Sequence, residues 1–357
     1  MSIKIHKAIG LMSGTSLDGV DIAYCTFRKK NNAWTYNLVS CTTIPYDTEI
    51  KNRLKNVHQM NLEGFLLFDR EYGRFLGKLV YDYCKKNAFQ ADFLASHGHT
   101  VFHQPNLNLS YQLGHGASIA AEAKMQTICD FRAMDVALNG HGAPLVPIGD
   151  YYLFDQYDYC LNIGGIANIT AKDKVLTAYD ICPANYVLNY LAKGFNVDYD
   201  NNGEIASRGK INESLLEELN NVEFYNITTP KSLGREWIEE QIFPILKKYK
   251  ILQTDKIRSF VEHIAIQISR QIKASSTKKS LLISGGGAYN SFLISRIKEN
   301  LQNKNISVEI PSNDIIDYKE ALIFAFLGVL RIEKQVNSLQ SVTAASQDNV
   351  GGAIYYY

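Results

Sequence analysis

Two short segments far apart in this chain share one design. Residues 8–16 read AIGLMSGTS and residues 160–168 read CLNIGGIAN. Each is an apolar, β-prone run that meets a glycine-bearing polar turn. Each is followed by a returning strand, Val20-Asp21-Ile22-Ala23-Tyr24 in the first case and a run holding Ile166 and Ile169 in the second. A strand–turn–strand unit that opens both halves of a chain points to a duplicated α/β domain, with a cleft between the copies.

The first turn, residues 13–19, carries Ser13, Gly14, Thr15, Ser16, Asp18 and Gly19. Small hydroxyls and bare N–H groups in such a turn form an anion-binding concavity suited to polyphosphate. No G-x-x-x-x-G-K-[ST] string occurs in the chain, so this is not a Walker loop. The candidate is a phosphate-binding β-hairpin, and the plain alternative is a hairpin turn without a ligand.

At 357 residues the chain suits two domains better than one core. Its 46% hydrophobic and 20% charged residues are those of a globular protein. A formal charge of +1 with dispersed Lys and Arg offers no stripe for nucleic acid. The first ten residues lack the apolar core of a secretory signal, and residues 321–330 are too short an apolar run to span a bilayer. Six scattered cysteines without C-x-x-C spacing fit reduced thiols, so a cytoplasmic protein is expected.

Helices are expected at 62–86, 185–193, 213–220, 235–248, 255–274, 290–300 and 318–334, with a kink or break at Pro244. A short buried strand at 92–96 is expected to end in HGHT. Residues 281–290 read LLISGGGAYN, a buried strand, three glycines and then a helix. Backbone without side chains at that junction lets a flat ligand such as adenine and ribose approach; the alternative is a tight turn that lets helix pack on strand.

The string YDICPAN delivers Asp180 to the end of an apolar strand, with Pro183 in the first turn of the next helix. A carboxylate held by rigid elements can act as a general base, though a helix N-cap fits the spacing equally well. Glu320 opens a helix that is apolar on nearly all sides, and by itself it reads as a surface residue favoured by the helix dipole. His97, His99, His103, His115 and His141 tempt a metal reading, yet no cysteine or carboxylate cluster has zinc spacing, so no dedicated metal site is expected.

Taken in order, GLMSGTSLDGVD, HGHTVFHQP, DFRAMD, GHGAPLVP, NIGGIAN, PKSLGRE, GGGAYN and EALIFAFL resemble the anhydro-N-acetylmuramic acid kinases over nearly the whole chain. That family belongs to the superfamily of actin, sugar kinases and chaperone ATPases. The resemblance implies an α/β fold of two ribonuclease-H-like (actin-like ATPase) domains flanking a nucleotide cleft. The division expected is residues 1–131 with 341–357, and residues 132–340. It also implies an ATP-dependent enzyme that opens the 1,6-anhydro ring with water and phosphorylates O6, yielding N-acetylmuramic acid 6-phosphate in peptidoglycan recycling.

Carried over by position, the resemblance makes Asp180 the base that activates water and Glu320 a group that orients water or sugar. Gly14, Thr15, Ser16, Leu17, Asp18, Gly19, Val20 and Asp21 would cradle the phosphates. Gly164 and Gly165 would form a second phosphate hairpin, and Gly285, Gly286 and Gly287 would border the nucleoside. Magnesium is expected to bridge phosphate oxygens, largely through water. Arg132 is assigned to the lactyl carboxylate, with an interdomain salt bridge as the alternative, and His97, His103, Gln104 and Pro144 to the sugar. The partner is then a small amino sugar, with neither nucleic acid nor membrane; a homodimer is left open.

The chain departs from the family in places. DICPAN stands where members read D-T-G-P-G-N, His99 replaces the glutamine of H-G-Q-T, His115 replaces an acidic residue, and TAASQDN varies from T-G-A. Ser13 and Asn162 stand on the two hairpins, the first where most of the superfamily has aspartate. Two other readings stay open here. One is a hexosamine kinase that acts on an open amino sugar, with Asp180 deprotonating its 6-hydroxyl. The other is an ATP-driven, chaperone-like binding protein, against which stands the lack of a recognisable peptide-binding domain or filament insertion.

Overall fold

The computed structural model describes residues 4–14, 17–31, 33–227 and 231–357. Among these lie twelve strands. They are β1 (Ile5–Ser13), β2 (Gly19–Lys30), β3 (Ala33–Pro45), β4 (Phe93–Gln104), β5 (Leu109–Leu113) and β6 (Thr127–Cys129). Then come β7 (Tyr159–Ile163), β8 (Ile166–Lys172), β9 (Leu176–Pro183), β10 (Lys279–Ser284), β11 (Ile306–Glu309) and β12 (Ala353–Tyr355). The chain divides into two compact units, Met1–Leu153 with Tyr318–Tyr357, and Phe154–Asp317.

The first unit holds a sheet in the order β12-β6-β4-β1-β2-β3, with β5 paired to β4. Its first three strands form an antiparallel meander, and β4 runs parallel to β1. The second unit has the order β11-β10-β7-β8-β9, again with an antiparallel meander and then parallel strands added beside its first. Both sheets therefore have the ribonuclease-H-like order, and the repeated hairpins seen in the sequence are β1–β2 and β7–β8.

In the first unit, helix Leu62–Asn87 begins where the Asn61 side chain accepts from the Gly64 N–H at 2.7 Å and ends at Ala88 in the left-handed region. It buries Phe68, Tyr72, Leu76 and Val80, as its 3.6-residue spacing requires. It meets helix Gly116–Ala123 closely through Gly73 and Gly77, where a Cβ would lie 2.8 Å from the His115 carbonyl and 2.6 Å from that of Ile119. In the second unit, helix Gln253–Gln271 is buried along most of its length and packs against β9 and helices Glu213–Asn220 and Ser291–Leu301.

Several elements differ from the sequence expectation. Residues 132–153 and 318–340 lie in the first unit, because helix Asn313–Ile332 presses Ala321 against Gly10 and Ile323 against Gly149. That helix starts at Asn313, so Glu320 sits two turns in and is no helix-opening surface residue. The strand expected at 92–96 runs on through Gly98 to Gln104; Gly98 takes a positive φ of 70° and the β1–β4 register shifts there. Helix Arg235–Lys248 continues past Pro244 without a break, and Pro183 ends β9 rather than opening a helix. No helix among the described residues is long and apolar enough to cross a membrane.

Candidate active site

On the first unit, the β1–β2 turn begins at Gly14, whose carbonyl accepts from the Leu17 N–H at 3.4 Å; Thr15 and Ser16 lie outside the described residues. Leu17 is left-handed, with φ 59°, and Asp18 accepts from the Gly19 N–H at 3.1 Å. Gly19 is needed for packing, since a Cβ there would approach the Ile44 carbonyl to 2.5 Å. Val20 is fully buried, so only its backbone faces the turn. Asp21 accepts from Thr43 Oγ1 at 2.6 Å, and Thr43 lies 3.3 Å from the Tyr318 hydroxyl. The Ser13 hydroxyl is buried among Tyr46, Tyr72 and His99, which corrects the expectation that it lines an open cradle.

Beyond the Gly98 bulge, β4 and the chain after β6 assemble a second cluster. His97 Nδ1 donates to the Gly98 carbonyl at 2.8 Å, leaving Nε2 to accept from Arg132 Nη2 at 2.9 Å. Burial, and then the Arg132 charge, push His97 down to about 3, so the ring stays neutral. It stands edge-on against Phe324 at 4.7 Å between centroids. Arg132 Nε is buried without a hydrogen-bond partner, and among the described residues no carboxylate pairs with its guanidinium.

Glu320 feels this arginine. Burial pushes its carboxyl up, Lys319 and Arg132 draw it down, and Asp21 and Asp150 oppose them. Lys319 itself is buried in an ion pair with Asp150 at 2.7 Å. His103 and Gln104 lie exposed at the end of β4; burial, Arg132 and His141 all lower the His103 pKa, which puts that ring in the same electrostatic neighbourhood. Exposed Pro144 follows a cis peptide in the loop after Gly142. Asp135 organises that loop, accepting from the Gly142 N–H at 2.8 Å and from Ser338, Thr343 and Asn349.

On the second unit, the hairpin Gly164-Gly165 supplies the carbonyls that receive the Asn185 and Ala184 N–H groups at 3.0 and 2.8 Å. A Cβ at either glycine would meet nothing nearer than 3.6 Å, so side-chain-free space lies over the turn. The three glycines after β10 divide. Gly285, with φ 79°, abuts Asn162 and the Ile163 carbonyl, and Gly287 abuts the Ile163 side chain, so both are required by packing. Gly286 alone has room, its Cβ position lying 3.6 Å from Asn185 Nδ2. These open glycines fit a nucleotide laid against backbone.

Asp180 stands at a bulge. Asn168 pairs with Asp180 while Ala167 pairs with Cys182, which leaves Ile181 as the extra residue and re-aims the carboxylate. Its Oδ2 accepts from the Leu233 N–H at 2.8 Å and the Ser232 hydroxyl at 3.2 Å; Oδ1 carries no hydrogen bond among the described residues. Burial pushes its pKa up, against the pull of those two donors. It is no N-cap, because helix Asn185–Ala192 is capped at Ala184 without a side-chain bond. One oxygen held and one open is the arrangement a general base needs.

Sequence reasoning missed Ser232 and the Leu233 N–H, although PKSLGRE had stood out as a block without a role. It also missed Tyr46, Tyr72 and the Lys319–Asp150 pair, which carry no local motif. Among the described residues no three His, Cys, Asp or Glu side chains converge on a metal position.

Two sheets of ribonuclease-H-like order, each opened by a glycine-bearing hairpin, define an α/β protein of the ribonuclease-H-like fold class. The family model described as anhydro-N-acetylmuramic acid kinase matches residues 6–357, and the chain belongs to that family. It is 34% identical to the anhydro-N-acetylmuramic acid kinase of Hydrogenovibrio crunogenus, over 98% of this chain and 97% of that one. It is likewise 34% identical to the same-named kinase of Francisella tularensis subsp. novicida, over 98% of each. Among solved structures it is similar to component A of the (R)-2-hydroxyglutaryl-CoA dehydratase of Acidaminococcus fermentans. That likeness has 12% identity and a TM-score of 0.43, over 90% of this chain and 96% of that one.

Proposed function

We propose that this enzyme opens the 1,6-anhydro ring of anhydro-N-acetylmuramic acid with water and transfers the γ-phosphoryl group of ATP to O6. The product is N-acetylmuramic acid 6-phosphate, and the reaction serves peptidoglycan recycling in the cytoplasm. The observation that carries this reading is Asp180, with Oδ2 fixed by Leu233 and Ser232 and its basicity raised by burial.

In the proposed reaction Asp180 takes a proton from water, and the oxygen left behind attacks the anomeric carbon. The bond from that carbon to the bridging oxygen breaks, and its electron pair stays on O6. O6 then attacks the γ-phosphorus in line and ADP leaves, while Asp180 returns its proton to solvent. Glu320 orients water or sugar, Arg132 receives the lactyl carboxylate bidentately, and His103, Gln104 and Pro144 line the sugar. Gly164, Gly165 and Gly286 leave backbone bare for phosphates and nucleoside. Magnesium, when bound with ATP, would be held by phosphate oxygens and water.

The test is incubation with Mg-ATP and either anhydro-N-acetylmuramic acid or N-acetylmuramic acid, with the products resolved. Phosphorylation of the anhydro sugar, with one oxygen from labelled water at the anomeric position, is expected. Phosphorylation of the open sugar alone would replace this reading with that of a simple hexosamine kinase. If neither sugar accelerates ADP release, an ATP-driven binding protein becomes the better account.

A further inference from the structure

Four polar side chains from four separate elements meet under the first hairpin. Ser13 ends β1, Tyr46 follows β3, Tyr72 lies mid-helix in Leu62–Asn87, and His99 sits just past the β4 bulge. All are 9% exposed or less. Ser13 Oγ lies 2.6 Å from the Tyr46 hydroxyl, 2.8 Å from that of Tyr72 and 3.3 Å from His99 Nδ1; the two tyrosine hydroxyls are 2.7 Å apart.

Counting protons fixes the arrangement. Four contacts need four hydrogens, and three hydroxyls supply only three. The fourth must come from His99, whose burial keeps it neutral, with its pKa pushed down to about 4. Its single ring proton therefore sits on Nδ1 and donates to Ser13. Ser13 then uses its one hydrogen and both lone pairs inside the ring, and has nothing left for a ligand.

Such a ring is a costly way to fill a core, because each member was fully hydrated in the unfolded chain and gains little net stability from its new bonds. Apolar side chains of similar volume would fill the space without that desolvation. What the ring provides is position: it ties the last residue of β1 to three other elements at the point where Gly14 starts the turn.

We infer that Tyr46, Tyr72 and His99 are positioning residues for the nucleotide hairpin, acting through Ser13. The inference rests on the reading of this chain as an ATP-dependent kinase. It assigns the three residues no contact with ATP or sugar.

The test compares steady-state kinetics and melting temperatures of Tyr72→Phe, His99→Leu and His99→Gln in the full chain. Loss of two ring bonds in Tyr72→Phe, or of one in His99→Leu, is expected to raise KM for ATP about five- to tenfold, with kcat and the sugar KM within about twofold. His99→Gln keeps an N–H donor and is expected to stay near wild type. Lower melting temperatures with unchanged KM for ATP would reduce the ring to core packing and overturn the inference. Should Tyr72→Phe fail to fold, the contrast between leucine and glutamine at position 99 decides alone. Failure of the wild-type protein to bind ATP, read by calorimetry, would remove the kinase reading and the inference with it; ATP binding with insensitive variants removes only the inference.

Discussion

Arg132 Nη2 donates to His97 Nε2 at 2.9 Å, and the Gly98 carbonyl fixes the tautomer that makes this possible. A neutral ring holds the guanidinium in place without neutralising it. The cation is therefore half-buried, oriented and still charged, with its pKa lowered only to about 10. A carboxylate arriving from outside would meet a site already desolvated.

The first prediction follows from that pair. Arg132→Lys loses the planar fork and is expected to raise KM for a carboxylate-bearing muramic sugar about ten- to a hundredfold, with KM for ATP little changed. An anhydro-N-acetylglucosamine analogue, which lacks the lactyl carboxylate, should respond far less to the substitution. Equal losses on both sugars would move Arg132 away from the carboxylate.

Asp180→Asn keeps the side chain's shape and its contact with the Leu233 N–H but removes the base. Turnover is expected to fall about a hundred- to ten-thousandfold while nucleotide binding, measured by calorimetry, is retained. Because burial holds the Asp180 pKa above the ordinary aspartate value of 3.8, the acid limb of kcat/KM should lie above that value too. Loss of ATP affinity instead would give Asp180 a structural or metal-linked role.

The glycines after β10 should separate by experiment. Gly287→Ala drives a methyl into Ile163 and is expected to destabilise the fold by about 1–3 kcal/mol in urea unfolding. Gly286→Ala has room, so stability should stay within about 0.5 kcal/mol while KM for ATP rises. An unchanged KM would make the whole run a packing turn.

Acid stability supplies the last prediction. Burial lowers His97 and His263 to about 3 and His99 to about 4. Each ring is protonated in the unfolded chain below about 6.5 but resists protonation in the fold. Their stabilising effect is therefore complete above that pH and is lost as pH falls towards the folded values, by about 2 kcal/mol per histidine between pH 7 and 5. Asp180 and Glu320, whose pKa values are raised, act with the opposite sign. Urea titrations at the two pH values should show the net loss, and His263→Phe, if folded, should reduce it.

Much was legible in the sequence because it is local. The hairpins, the helix at 62–86, the glycines and Asp180 are spelled by runs whose periodicity and turn residues need no distant partner. Glu320 was misread as surface because its helix begins earlier than the apolar run suggests, at Asn313. The strand through HGHT was cut short because Gly98 reads as a stop, whereas β1 pairs on both sides of it, Leu11 with Ser96 and Ser13 with His99, and turns it into a bulge.

By itself, then, the sequence determined two copies of one strand–turn–strand design, where the glycines fall, and which acid stands at a strand's end. Only the tertiary structure decided what those groups can do. Ser13 became a buried ring member because Tyr46, Tyr72 and His99 converge on it from three other elements. Gly285 and Gly287 became packing positions because Ile163 lies against them, and Asp180 gained its fixed oxygen from residues more than fifty positions away. A side chain's hydrogen-bond partners, desolvation and charge state depend on neighbours brought together by folding, and no local pattern encodes those.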